Sequence, residues 1–83
     1  MQIEWTDKAT KEMRKIDPQH RRRILAKVLQ FAADPVSLAN MTTQLVGSEI
    51  SRLRVGDWRV LYKIEGGDTV VVLKVANRRE AYD

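Results

Sequence analysis

The chain has no cysteine and a single histidine, His20, among its 83 residues. Without thiols there is neither a disulfide nor a thiolate metal site, and one imidazole is too few to build a zinc centre. The longest uninterrupted apolar run is Val70-Val71-Val72-Leu73. That is far short of the roughly 20 residues that cross a bilayer, and the N-terminus carries no signal-peptide apolar segment. The chain therefore reads as a cytosolic protein with no membrane partner. Also missing are a glycine-rich phosphate loop, a Ser-His-Asp set and a paired-carboxylate motif, and no metal or cofactor is expected.

What is present is the composition of a folded domain: 43% apolar, 31% charged, with a net charge of +4. The length allows one domain, residues 1–83, and no second. So short a chain buries only about 60% of its unfolded surface. Packing must carry its stability, with help from a partner.

Gln2-Ile3-Glu4-Trp5 alternates polar and apolar, which predicts a short strand with Ile3 and Trp5 facing inward. Thr6 suits a helix N-cap, and Ala9, Met13 and Ile16 fall at i, i+4 and i+7, the stripe of an amphipathic helix reaching Ile16. Asp17-Pro18 starts a second helix, because Asp can cap free N–H groups and proline at the first position forgoes a bond it would not have made. Its stripe is wide, taking in Ile24, Leu25, Val28, Leu29, Phe31 and Ala32, with Arg21, Arg22, Arg23 and Lys27 on the wet side; Asp34-Pro35 ends it. Residues 36–50 read as an irregular connection. Then the period changes to two. Strands on either side of Gly56-Asp57 and of Gly66-Gly67 predict an antiparallel meander under a helical hairpin, an α+β fold. The meander needs both apolar helix stripes to cover it, which argues against a DNA-reading helix-turn-helix. His20, among arginines in a first helical turn, reads as a surface residue.

Strand parity decides which charges share a face. With Gly56-Asp57 as a two-residue loop, Arg54 pairs with Arg59 and Arg52 with Leu61. With Gly66-Gly67 as the next, Tyr62 pairs with Val71 and Arg59 with Lys74. One face then collects Leu53, Val55, Trp58, Val60, Tyr62, Ile64, Val71, Leu73 and Val75 as a core. The other carries Arg52, Arg54, Arg59, Lys63, Lys74 and, if the strand continues, Arg78, with Leu61, Val70 and Val72 between them. A three-residue loop Gly66-Gly67-Asp68 would turn Lys74 into the core and is disfavoured for that reason. Like charges facing each other on a sheet cost roughly 0.2–1 kcal/mol per pair. A bound polyanion would convert that repulsion into charge-assisted hydrogen bonds, for which the arginine fork is suited. A solvated face without a ligand is the plainer alternative.

Arg52-Leu53-Arg54-Val55-Gly56-Asp57-Trp58-Arg59-Val60-Leu61-Tyr62, followed by residues 71–82 with Lys74, Asn77-Arg78-Arg79 and Tyr82, resembles the RelE/ParE superfamily of bacterial toxins, and its RelE branch in particular. The early strand, the helical hairpin and Leu45-Val46-Gly47 fit the same RelE-like fold, so the resemblance spans the chain. It implies the toxin of a type II toxin–antitoxin pair, held inactive by a cognate antitoxin. It also implies a metal-independent endoribonuclease that cleaves mRNA in the ribosomal A site, against ribosomal RNA, by attack of the ribose 2′-OH on the adjacent phosphate. In this resemblance Arg59 stabilises the phosphate and Arg78 protonates or stabilises the leaving oxygen. Arg52 and Arg54 lie on the basic strand handling nucleophile and backbone, and Tyr82 stacks on or orients the base; Lys74, placed on the same face by strand parity, joins Arg52 as an expected substrate-binding residue. Two positions depart from relatives: Ile50 stands where some carry lysine, and Ala81 where other branches place a histidine acid. Glu49 is the nearest upstream carboxylate. Leu61, Val70 and Val72 are the surface expected beneath the antitoxin. The alternatives are a ParE-like inhibitor of DNA gyrase and a RelE-like RNA-binding protein with weak catalysis.

Overall fold

The computed structural model describes residues 1–80. Strand β1 (Gln2–Trp5) leads into helices α1 (Asp7–Arg14) and α2 (Pro18–Ala33); a short 3₁₀ helix (Pro35–Met41) and β2 (Thr42–Gln44) then precede β3 (Ser51–Val55), β4 (Trp58–Glu65) and β5 (Thr69–Asn77). The strands form one five-stranded sheet in the order β1-β5-β4-β3-β2. It is antiparallel except where β1 lies parallel to β5. The expected α+β fold is therefore present. Residues 36–50 are more regular than expected: β2 pairs Thr42 with Leu53 and Thr43 with Arg52. A strand of three residues is too short to show alternation in sequence.

Local chemistry accounts for the helices. The Thr6 hydroxyl accepts the Ala9 N–H at 3.1 Å; Ala9, Met13 and Ile16 are all buried, but α1 ends at Arg14 and Ile16 lies past its Lys15 cap, not within the helix as expected. At α2 the Asp17 side chain makes no capping bond. Only its carbonyl contributes, accepting the Arg21 N–H at 2.9 Å. The buried stripe of α2 is narrower than its sequence suggests. Ile24, Val28, Phe31 and Ala32 face the sheet, whereas Leu25 and Leu29 are 40% and 53% exposed. Each of these leucines follows a buried residue and is turned from it by about 100° around the helix axis.

The hairpin between β3 and β4 has the expected register, with Arg54 opposite Arg59 and Arg52 opposite Leu61. Gly56 supplies the positive φ of +58° that a glycine-first two-residue turn requires. The hairpin between β4 and β5 differs from expectation. Its loop is the three-residue Gly66-Gly67-Asp68, because Glu65 pairs with Thr69, and the register shifts again between Leu61 and Tyr62. Tyr62 pairs with Val72 and Leu61 with Lys74, so Leu73 bulges out of the ladder. The loop and bulge together overturn two expectations. Val70 and Val72 lie in the core, 1% and 0% exposed, while Val71 occupies the opposite face. Lys74 stands across from Leu61, not Arg59, which faces Ala76. The longer loop alone would have driven Lys74 under the helices; the bulge returns it to the open side.

Leu53, Val60, Val70 and Val72 meet Ile24 and Val28 at the centre of the core. The Phe31 ring packs on Tyr62 at a centroid distance of 4.8 Å. No polar or charged residue is buried among the described residues.

Candidate functional site

The face of the sheet turned away from the helices is laid out in rows. One runs Arg54, Arg59, Ala76 across β3, β4 and β5; the next runs Thr43, Arg52, Leu61, Lys74; a third carries Lys63, Val71 and Glu4. Arg78 lies just past β5, where its backbone N–H donates to the Asp57 carbonyl at 2.7 Å. Its Nε sits 4.0 Å from the Asp57 carboxylate. Arg52, Arg54, Arg59, Lys74 and Arg78 are thus gathered on one face. Tyr82 lies outside the described residues.

Arg59 is held at the turn. Its Nη1 donates to the carbonyls of Gly56 and Trp58 at 2.8 and 2.9 Å. Its pKa is lowered, first by partial burial and then by the charges of Arg52, Arg54 and Arg78, with Asp57 opposing. Three further guanidinium groups are therefore close enough for Arg59 to feel each of them. At the other end of the face the charge is neutralised: Lys63 pairs with Glu65 at 3.0 Å. Glu65 raises the Lys63 pKa, and Glu49 adds to that shift. Glu49 thus acts on Lys63, whereas the charges that act on Arg59 are those of Arg52, Arg54, Arg78 and Asp57. Lys74 Nζ donates to the Glu80 carbonyl at 3.2 Å. Positive charge therefore gathers around Arg59, which feels Arg52, Arg54 and Arg78 together.

Two concavities flank that point. A small one of about 120 Å³ is lined by Asn40, Met41, Thr43, Arg52, Arg54 and Arg59. A wider one of about 500 Å³ lies around Asp57, Trp58, Asn77, Arg78 and Glu80. Asn40 and Thr43, polar residues in the wall beside the arginines, were invisible in a segment read as irregular. The Thr42-Thr43 pair of β-branched residues was the one available signal. Among the described residues no group of three or more His, Cys, Asp or Glu side chains gathers to hold a metal. Among them also, no helix is long and apolar enough to cross a membrane. Chemically, this is a cluster of cationic donors, four of them planar guanidinium forks suited to the oxygens of a phosphodiester, with Arg59 held in place by two backbone carbonyls.

No curated protein matches the sequence. Solved structures do match: an archaeal RelE–RelB complex from Pyrococcus horikoshii is 25% identical with a TM-score of 0.78, over 96% of this chain and 97% of that one. The toxin–antitoxin complex RelBE2 of Mycobacterium tuberculosis is 30% identical with a TM-score of 0.66, over 93% and 96%. The isolated Escherichia coli RelE toxin, 21% identical with a TM-score of 0.76 over 98% and 89%, shares the fold. The family model for the ParE toxin of type II toxin–antitoxin systems (parDE) matches residues 3–82. The chain accordingly belongs to the RelE/ParE superfamily of type II toxin–antitoxin toxins.

Proposed function

We propose that this toxin is a ribosome-dependent mRNA endoribonuclease, and that a cognate antitoxin holds it inactive. The observation that supports the nuclease reading is the set of four arginines, Arg52, Arg54, Arg59 and Arg78, close enough that the first, second and fourth each lower the pKa of Arg59. In this reading the ribose 2′-oxygen attacks the adjacent phosphorus in the A-site codon. The P–O5′ bond breaks, the 2′-OH gives its proton to water and the departing 5′-oxygen takes one from water, leaving a 2′,3′-cyclic phosphate and a free 5′-OH. Arg59, already oriented by two carbonyls, stabilises the dianionic transition state. Arg78 stabilises the leaving oxygen, while Arg52, Arg54 and Lys74 bind the flanking backbone and ribosomal RNA, and Tyr82 stacks on the base. Arginine, protonated at every accessible pH, does not serve as the base.

The antitoxin surface moves with the corrected register. Val70 and Val72 are in the core and unavailable. A groove of about 300 Å³ lined by Trp5, Thr10, Met13, Arg14, Arg21 and Leu25 offers apolar walls flanked by cations. An amphipathic helix with acidic flanks fits that chemistry.

A second reading, inhibition of DNA gyrase, is favoured by the matching family model being that of ParE. One experiment separates the two: the toxin is induced without antitoxin, and mRNA 5′ ends and plasmid topology are followed together. New 5′ ends within translated codons, absent in Arg59→Ala and Arg78→Ala, are the expected result. Double-strand breaks in plasmid DNA with intact mRNA would replace this reading with the second.

A further inference from the structure

We propose that Thr6 and Glu12 are positioning residues for the basic face: they hold the β5 bulge and thereby decide that Lys74 and Arg78 lie on the same face as Arg59 rather than beneath the helices. In a regular strand successive carbonyls point to opposite edges. Here the carbonyls of Val72 and Leu73 both turn toward Thr6. The Thr6 N–H donates to Val72 O at 3.1 Å, and its hydroxyl donates to Leu73 O, also at 3.1 Å. Further along, the Val75 N–H donates to Glu12 Oε1 at 3.0 Å. The last β1 pair is Trp5 with Val72, so beyond it side chains from the start and middle of α1 replace the missing strand as partners for β5. The same Thr6 oxygen caps α1, tying the start of the helix to the bulge.

Parity gives these bonds their consequence. If the register from Glu65–Thr69 to Tyr62–Val72 continued, Lys74 would face Val60, which is 1% exposed. The bulge resets the pairing so that Lys74 meets Leu61 and Ala76 meets Arg59, and Arg78 keeps that parity. Neither Thr6 nor Glu12 lies on the basic face. Glu12 is needed as an acceptor and not as a charge, which separates Glu12→Gln from Glu12→Leu.

The test is nuclear magnetic resonance on the full chain. In Glu12→Leu, Val75 amide exchange is expected to accelerate at least tenfold, and the cross-strand contacts Leu61–Lys74 and Arg59–Ala76 to be lost while Tyr62–Val72 persists. Glu12→Gln is expected to retain all of them. Thr6→Asp covers the case in which Glu12→Leu does not fold: its carboxylate still caps α1 but cannot donate to Leu73, so the same contacts should go while α1 remains. Retention of the Leu61–Lys74 contact and of Val75 protection in both Glu12→Leu and Thr6→Asp overturns the proposal, as does a Glu12→Gln variant that behaves like Glu12→Leu. This arm involves no RNA and stands apart from the nuclease reading. A second arm rests on that reading and titrates a short single-stranded RNA against salt. Displacing two cations should flatten the slope of log K against log salt by about 1.4, at roughly 0.7 per phosphate contact on a single strand. An unchanged slope in a variant whose register has moved would break the link to the basic face.

Discussion

The two faces of this sheet are built from the same strands and tolerate change in opposite ways. On the helix side, Leu53, Val60, Val70 and Val72 are at most 1% exposed. They contribute through apolar area removed from water, and any lost methylene leaves a cavity. On the open side, Arg54 faces Arg59 directly, and partial burial followed by the charges of Arg52, Arg54 and Arg78 lowers the Arg59 pKa. One face is arranged for stability and the other against it, which is the pattern expected where a charged ligand compensates.

Substitutions can sharpen that contrast. The largest stability effect is expected from Leu53→Ala, about 2–5 kcal/mol, enough to lower the melting temperature of so small a domain by on the order of 10 °C in calorimetry. Arg59→Ala should reverse the pattern, reducing RNA cleavage by about 10²–10³-fold in a ribosome assay with no fall in melting temperature. Tyr62→Phe removes a buried phenol beside Ser51 and Thr42, at a cost of about 1 kcal/mol in denaturant titration. Burial raises the Tyr62 pKa more than its polar neighbours Ser51 and Thr42 lower it. The folded value lies above the unfolded one, so this contribution is complete below the usual tyrosine value of about 10 and is lost as pH climbs past it. The wild-type melting temperature should therefore fall more steeply above pH 10 than that of Tyr62→Phe. The smallest effect has the opposite sign: Arg54→Ala relieves a facing like-charge pair and should stabilise by about 0.2–1 kcal/mol. A clear loss of stability there would mean that the open face also supports the fold.

How much of this was legible differs from element to element. Thr6, Ala9 and Met13 mark α1 because a cap and a helical period are local properties, whereas Ile16 keeps the period but lies beyond the helix end at Arg14. Leu25 and Leu29 were misleading, since an apolar residue beside a buried row looks like part of it until the partner surface is known. β2 was too short to show a period. The loop after β4 was ambiguous because Gly66 and Gly67 both adopt positive φ, +62° and +74°, a freedom that serves two-residue and three-residue loops alike. Strand alternation puts Lys74 on the correct face through a pairing with Arg59 that does not occur: the three-residue loop is present, and the bulge undoes its effect.

That Arg54 confronts Arg59 follows from local residues alone, because a two-residue turn with glycine first leaves one register and alternation does the rest. The side taken by Lys74 and Arg78 depends instead on long-range packing. A bulge leaves backbone groups without strand partners, and here those partners are Thr6 and Glu12, 67 and 63 residues away in the chain. Their meeting with β5 depends on where α1 packs, which no local pattern encodes.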